Sequence, residues 1–266
     1  MNIILQNENG YYFTISSRSD TACLVEMPDF GDISSDFCTY KIGGVMGEGL
    51  CGINHSVRDV TIKFEARRIS KRLISRTLSP LSPITCTVNG RWQFKAYAKG
   101  TAKRERPYEN MPAIYTVQLR LFDPCFYKLH NNRTVPFFNH GGRLYESGVY
   151  NYQKLSLLNN GDIPCPLSAE IKPTEATNTS GLFSKAVWED GVNIYEGYKL
   201  CSRDTETTYY VSSDITDTRA FSDYHSFERF DTIYLKPGQN TLYVLNAEGT
   251  LWYNPKFLSI EVAADE

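Results

Sequence analysis

Hydrophobic and polar positions alternate with a period of two along much of this chain, the pattern of half-buried β-strands. Val60, Ile62 and Phe64 alternate with Thr61, Lys63 and Glu65. Tyr115, Val117, Leu119 and Leu121 form a longer run that stops at Asp123-Pro124. Thr85 to Val88 and Arg91 to Tyr97 flank Asn89-Gly90. That dipeptide tolerates the positive φ angles of a type I′ turn, so the spacing predicts a hairpin with Trp92, Phe94 and Ala96 on one face. Ile3 to Gln6 and Tyr11 to Ser16 read as a second hairpin across Asn7-Glu8-Asn9-Gly10, and Cys23 to Met27 as another short strand. The period changes once. Ile69/Leu73 and Ile74/Leu78 lie four apart with Pro80 just beyond, which predicts one helix over 67–78.

The second half reads as strands throughout: 154–159, 166–172, 182–188, 192–196, 198–202, 207–212, 230–235, 241–246 and 256–262. Turn chemistry separates them at Asn160-Gly161-Asp162, Asp190-Gly191, Pro237-Gly238 and Glu248-Gly249. Many short strands with regular turns predict a sandwich or jelly roll. The polar stretch 128–134 reads as a linker, and Gly43 to Gly49 as flexible or tightly turned backbone.

Composition agrees. Hydrophobic residues make up 41% and charged residues 22% of 266, enough apolar surface for buried cores. Tyr (18) and Phe (14) are abundant and suit pleated, half-buried surfaces. The seven cysteines are scattered with no CxxC pair, and an odd count is no secreted disulfide framework; they are expected to be reduced thiols. The first residues form no signal peptide and no segment reaches the ~18 apolar residues of a membrane span, so a soluble, cytoplasmically made chain is expected.

Charge is unevenly placed. Residues 1–135 hold 18 Lys/Arg against 12 Asp/Glu, a net +6, and residues 136–266 hold 10 against 18, a net −8. Within 67–106 there are eleven cations and one acid, Glu105. Arg67, Arg68, Lys71, Arg72 and Arg76 crowd the predicted helix, and Lys103, Arg104 and Arg106 follow in the loop 99–112. Three readings stay open: a nucleic-acid surface, a solvated helix face, and a contact with an acidic neighbouring subunit.

Other constellations are weaker. Cys51/His55 and Cys125/His130 are close pairs, but their separation matches no structural zinc pattern. Asp29, Asp32 and Asp36 lack the alternate spacing of a calcium loop. Glu189 and Asp190 beside Trp188 offer two carboxylates and an aromatic, the parts of a glycosidase, but Asp190-Gly191 is also an ordinary turn. No GxSxG, Walker, HExxH or dinucleotide motif occurs. No catalytic residue, metal site or cofactor is expected. Trp188 and Tyr195 are candidate sugar-stacking aromatics.

The order of these features resembles the distal tail proteins of siphophages and prophages. In the first half the resemblance rests on the strand Val57 to Glu65, the Arg-rich helix, the Asn-Gly hairpin, and Leu121-Phe122-Asp123-Pro124-Cys125-Phe126-Tyr127. In the second it rests on Leu158-Asn159-Asn160-Gly161-Asp162-Ile163-Pro164-Cys165-Pro166, on Ala169-Glu170-Ile171, and on Leu235-Lys236-Pro237-Gly238-Gln239-Asn240-Thr241-Leu242. It covers nearly the whole chain. It implies a mostly β fold: a tail-tube-like β-sandwich with one α-helix over 1–133, then an outward-projecting galectin-like or carbohydrate-module-like β-sandwich over 134–266. It further implies a non-enzymatic hexameric ring at the virion tail tip, assembled in the bacterial cytoplasm. The implied partners are the tail tube protein, a tail-associated hub or lysin protein, and a receptor-binding protein. In that setting the eight cations above would face a neighbouring subunit or the channel. The alternative function is a carbohydrate-binding module that contacts cell-surface glycan.

Overall fold

Val60, Ile62 and Phe64 stand directly opposite Leu119, Val117 and Tyr115 on adjacent antiparallel strands, so the two alternating runs share one buried face. The structure is a computed structural model that describes residues 1–33, 35–40, 49–106, 111–145, 148–176, 179–189, 192–200, 204–214, 217 and 227–260. It divides into two compact units: Met1–Leu129 with the C-terminal segment from Phe257, and His130–Lys256.

The first unit runs β1 (Asn2–Asn7), β2 (Tyr12–Ser16), β3 (Ala22–Leu24), β4 (Ser35–Tyr40), β5 (Gly49–His55), β6 (Arg58–Ala66), α1 (Lys71–Thr77), β7 (Ile84–Val88), β8 (Trp92–Ala98), β9 (Lys103–Glu105), β10 (Ala113–Leu121) and β11 (Phe126–Lys128). Strands β8, β7, β1, β2, β3, β6 and β10 follow one another in a sheet that closes on itself where β10 also pairs with β8. Closure removes most of the exposed edges. Strand β9 stands outside the closed path, bonded to β10 alone among the described strands. Ile3, Leu5, Ile15, Ile62, Phe64, Ile84 and Leu119 are completely buried inside. The expected Asn-Gly hairpin is present: Asn89 and Gly90 have φ of 51° and 62°, and the Arg91 N–H donates to the Val88 carbonyl. Among the described strands β4 and β5 pair only with each other, and the glycine-rich stretch between them lies outside the described residues.

The second unit runs β12 (Arg133–Phe138), β13 (Arg143–Tyr145), β14 (Gly148–Tyr150), β15 (Gln153–Asn159), β16 (Cys165–Pro173), β17 (Gly181–Glu189), β18 (Val192–Leu200), β19 (Tyr209–Ser212), β20 (Phe227–Phe230), β21 (Tyr234–Leu235), β22 (Gly238–Leu245) and β23 (Ala247–Tyr253). One five-stranded sheet is ordered β12-β23-β16-β19 with β21 also on β16; the other is β15-β22-β17-β18-β20. Leu157, Leu182, Tyr198, Leu242 and Val244 from one sheet and Leu167, Ile171, Val211 and Leu251 from the other share one buried core. The unit is therefore a β-sandwich.

Several expectations need correction. The helix begins at Lys71, not 67. Ser70 is extended (φ −74°, ψ 142°), and its hydroxyl accepts from the Leu73 N–H at 3.2 Å, a serine N-cap. The N–H groups of Arg67 and Arg68 instead donate to the Thr21 carbonyl, which carries the sheet bonding past β6. The runs 192–196 and 198–202 are one strand as far as Leu200. Part of the expected linker 128–134 belongs to β12, an edge strand with a single buried residue.

Glu248-Gly249 is no turn but lies inside β23. The turn comes earlier, at Asn246 (φ 44°), where the chain leaves one sheet for the other. Gly249 is needed for closeness: a Cβ there would lie 1.9 Å from the Glu170 carbonyl oxygen on β16. The C-terminal strand 256–262 is only β24 (Lys256–Phe257) among the described residues, and it joins β11 in the first unit. The sequence places the division at 133/134 and keeps the C-terminus in the second unit; in the structure the chain returns to the first. Phe257 meets Trp92 edge-on at 5.2 Å, with Lys128 over both rings, and Arg58 donates to the Leu258 carbonyl at 2.7 Å.

Candidate interaction surface

The eight cations singled out in the sequence are all exposed, but they do not form one patch. The register of β9 on β10 decides which come together. Arg104 stands opposite Tyr115, which stands opposite Phe64 on β6, and Ala113 stands opposite Ala66. These positions share the core-facing side of the sheet. Tyr115 (5% exposed) and Phe64 stack there with ring centroids 5.7 Å apart. Beyond Tyr115 the core ends, and Arg104 on β9 emerges into solvent.

A groove of about 370 Å³ opens at that point. Its cationic rim is Arg67, Lys71, Arg104 and Arg106. Its apolar lining includes Ala66, Ile69, Met111, Pro112, Ala113 and Tyr115. Met111 is half-exposed, an unusual place for a long apolar side chain in a basic loop. The Arg106 Nε donates to the Met111 carbonyl at 3.3 Å, which closes the loop and fixes this guanidinium beside the groove.

The charges in the rim are unevenly balanced. Arg67 donates from Nε to Glu65 Oε2 at 2.8 Å, and this partner raises its pKa further. Lys103 pairs with Glu105 at 3.0 Å on the exposed strand β9, outside the groove. Lys71 and Arg104 have no carboxylate at ion-pair distance among the described residues. Both are exposed cations on the groove.

The remaining candidates lie elsewhere. Arg76 stands in the last turn of the helix, lies over the Tyr11 ring at 5.2 Å and donates to its hydroxyl at 3.3 Å. A cation in the last turn also suits the helix dipole. Arg68 and Arg72 are exposed but do not line the groove. Sequence reasoning missed Ile69, Met111 and Pro112 as part of the surface. The available signal was one methionine near the end of a predominantly polar, basic loop.

In the second unit Tyr195 is 9% exposed and packs against Phe183 with ring centroids 5.1 Å apart. It fills a small core with Ala186 and Leu245 and presents no open face for sugar stacking. The Trp188 side chain and the Asp190-Gly191 turn lie outside the described residues. Among the described cysteines, Cys86, Cys125 and Cys165 are buried and in no disulfide; burial pushes Cys165 up to about 11, so it stays protonated.

No protein-family model and no curated protein matches the sequence. Solved structures do match over the whole length. The SPP1 Dit (gp 19.1) protein, described as a paradigm of the hub adsorption apparatus in phages that infect Gram-positive bacteria, superposes with a TM-score of 0.54 at 13% identity. The match covers 96% of this chain and 99% of that one. The chain has the Dit fold. A chain of the phage P2 baseplate in its activated conformation with Ca gives 0.51 at 10% identity, over 97% of this chain and 98% of that one.

The phrases that suggested this fold have identifiable structural roles. Buried Asn159 donates to the carbonyls of Ile163 (3.0 Å) and Leu235 (2.8 Å) and accepts from the Gly161 N–H (2.9 Å). A Cβ on Gly161 would lie 2.4 Å from the Lys256 carbonyl oxygen. Asn240 closes the Pro237-Gly238 turn, accepting from the Lys236 N–H and donating to the Lys236 and Gly238 carbonyls. Phe126 of Asp-Pro-Cys-Phe-Tyr is completely buried, edge-on to Phe30 and Phe94, with the Arg58 guanidinium 4.4 Å from its centroid.

Proposed function

We propose that this protein is a structural subunit of a phage tail tip, a hexameric ring that joins the tail tube to the host-adsorption apparatus. The observation that carries the reading is the full-length likeness to the SPP1 Dit hub protein, in which both units are matched over 96% of this chain. In this reading its partners are further copies of itself, the tail tube protein, a tail-associated hub or lysin protein and a receptor-binding protein. It is not an enzyme, and it resides at the virion tail tip after assembly in the host cytoplasm.

The physics of a ring supports the reading. A closed ring is built from heterologous contacts, one surface meeting a different surface on the next copy. A chain whose halves carry +6 and −8 offers such unlike surfaces. Strand β9, unpaired on one side among the described strands, offers backbone donors and acceptors to a neighbour. Negative-stain electron microscopy of the purified protein tests the proposal. Six-fold rings with a central channel are expected; single particles the size of one chain at micromolar concentration, alone or with the cognate tube protein, would sink it.

A further inference from the structure

We propose that the basic groove of the first unit receives an extended acidic segment of another polypeptide, added as a strand to the open edge of β9. The inference rests on the groove itself and holds whether or not the protein forms a ring. Three observations carry it.

The first is charge. Arg67, Lys71, Arg104 and Arg106 converge on one groove, and the stretch that supplies them, 67–106, holds a single acid. Lys71 and Arg104 lack a carboxylate partner among the described residues, so the groove is complementary to an anion. The second is the lining: Ile69, Met111 and Pro112 offer aliphatic contacts, which suits a segment with an apolar side chain between its carboxylates. The third is the edge. Ile114, Tyr115 and Thr116 occupy one side of β9, and no described strand occupies the other. An added strand places alternate side chains on one face, the spacing on which Arg104 and Arg106 already stand.

Nucleic acid fits less well. Single strands are held by aromatic platforms that stack on bases. The one aromatic among the described residues of this groove, Tyr115, is 5% exposed and already stacked on Phe64.

The test uses the full-length protein and a fluorescein-labelled heptapeptide of alternating Asp and Val, followed by anisotropy. Saturable binding is expected. It should weaken with added salt and fall at least about tenfold in Arg104→Glu, with Arg106→Gln as a milder second variant. Arg91→Glu, an exposed cation outside the groove, should leave it unchanged. A peptide N-methylated at alternate amides should bind more weakly, because it cannot pair with a strand edge. Equal binding of a Lys-for-Asp peptide, or equal loss in Arg91→Glu and Arg104→Glu, would overturn the acidic-segment assignment. Undiminished binding of the N-methylated peptide would overturn strand addition, and tighter binding of an oligothymidylate would hand the groove to nucleic acid.

Discussion

The side-chain amide of Asn246 grips the peptide of Gly142 from both sides: its Oδ1 accepts the Gly142 N–H at 2.6 Å and its Nδ2 donates to the Gly142 carbonyl at 2.6 Å. Nδ2 also donates to the Thr179 carbonyl at 3.0 Å, and the Asn246 N–H donates to Asn139 Oδ1. Asn246 is 1% exposed and sits where the chain passes between the two sheets of the sandwich. Three segments distant in sequence are thus joined through one side chain. Asn246→Asp would aim a carboxylate oxygen at two carbonyls, and Asn246→Ala would leave buried groups without partners. Each should destabilise the second unit by about 2–4 kcal/mol. Urea unfolding followed by Trp fluorescence checks this; a change under about 0.5 kcal/mol would contradict it.

Asp59 gives a pH prediction for the first unit. Arg120 holds it from two nitrogens, at 2.9 and 3.0 Å, and Lys99 adds a third contact at 3.0 Å. The hydrogen bond from Arg120 is the main cause that lowers its pKa from 3.8 to about 2. A carboxyl whose pKa falls on folding stabilises the fold above its unfolded value, and that contribution disappears as pH drops from about 4 to about 2. The side chain is 42% exposed, so solvent screening holds the contribution below about 1 kcal/mol. Carbon-detected NMR titration should place the Asp59 carboxyl near 2, and Arg120→Leu should move it upward. An ordinary Asp titration in the native protein would refute the pairing.

Gly249 is the sharpest backbone test. Its missing side chain lets β23 pass against the Glu170 carbonyl of β16. Gly249→Ala forces these strands apart in mid-sheet and should destabilise the second unit by about 3 kcal/mol or more. Gly100→Ala, which meets nothing within 4 Å, is the control and should change stability little. Thermal melts of the two variants should separate clearly.

These elements also show how far the sequence could be read. Period-two alternation exposed β6, β8 and β10 because each buries one face against a single core. Asn89-Gly90 announced its hairpin through two residues that accept positive φ. Strand β23 was misread because its glycine looks like turn chemistry, whereas the reason for that glycine is a neighbouring strand 79 residues earlier in the chain. Strand β12 was missed because an edge strand with one buried residue has no pattern. The cations of the groove were visible as composition. Which four converge depends on the pairing of β9 with β10, a long-range fact that no local spacing encodes.

Arg58 ties the C-terminal segment into the first unit. It is 3% exposed, its guanidinium lies over Phe126 and donates to the Leu258 carbonyl, and burial lowers its pKa. Arg58→Ala removes the cation–π contact and the donor together, and should destabilise by about 2–3 kcal/mol. Hydrogen exchange should show faster labelling at 257–260. Unchanged protection there would mean that Phe257 on Trp92 is sufficient by itself.

Multi-angle light scattering across protein concentration and salt decides whether the protein is a ring-forming tail-tip subunit. A species of six times 30.3 kDa that dissociates as salt rises is expected. A particle of 30.3 kDa at every concentration and salt, both alone and mixed with the cognate tail tube protein, would contradict it.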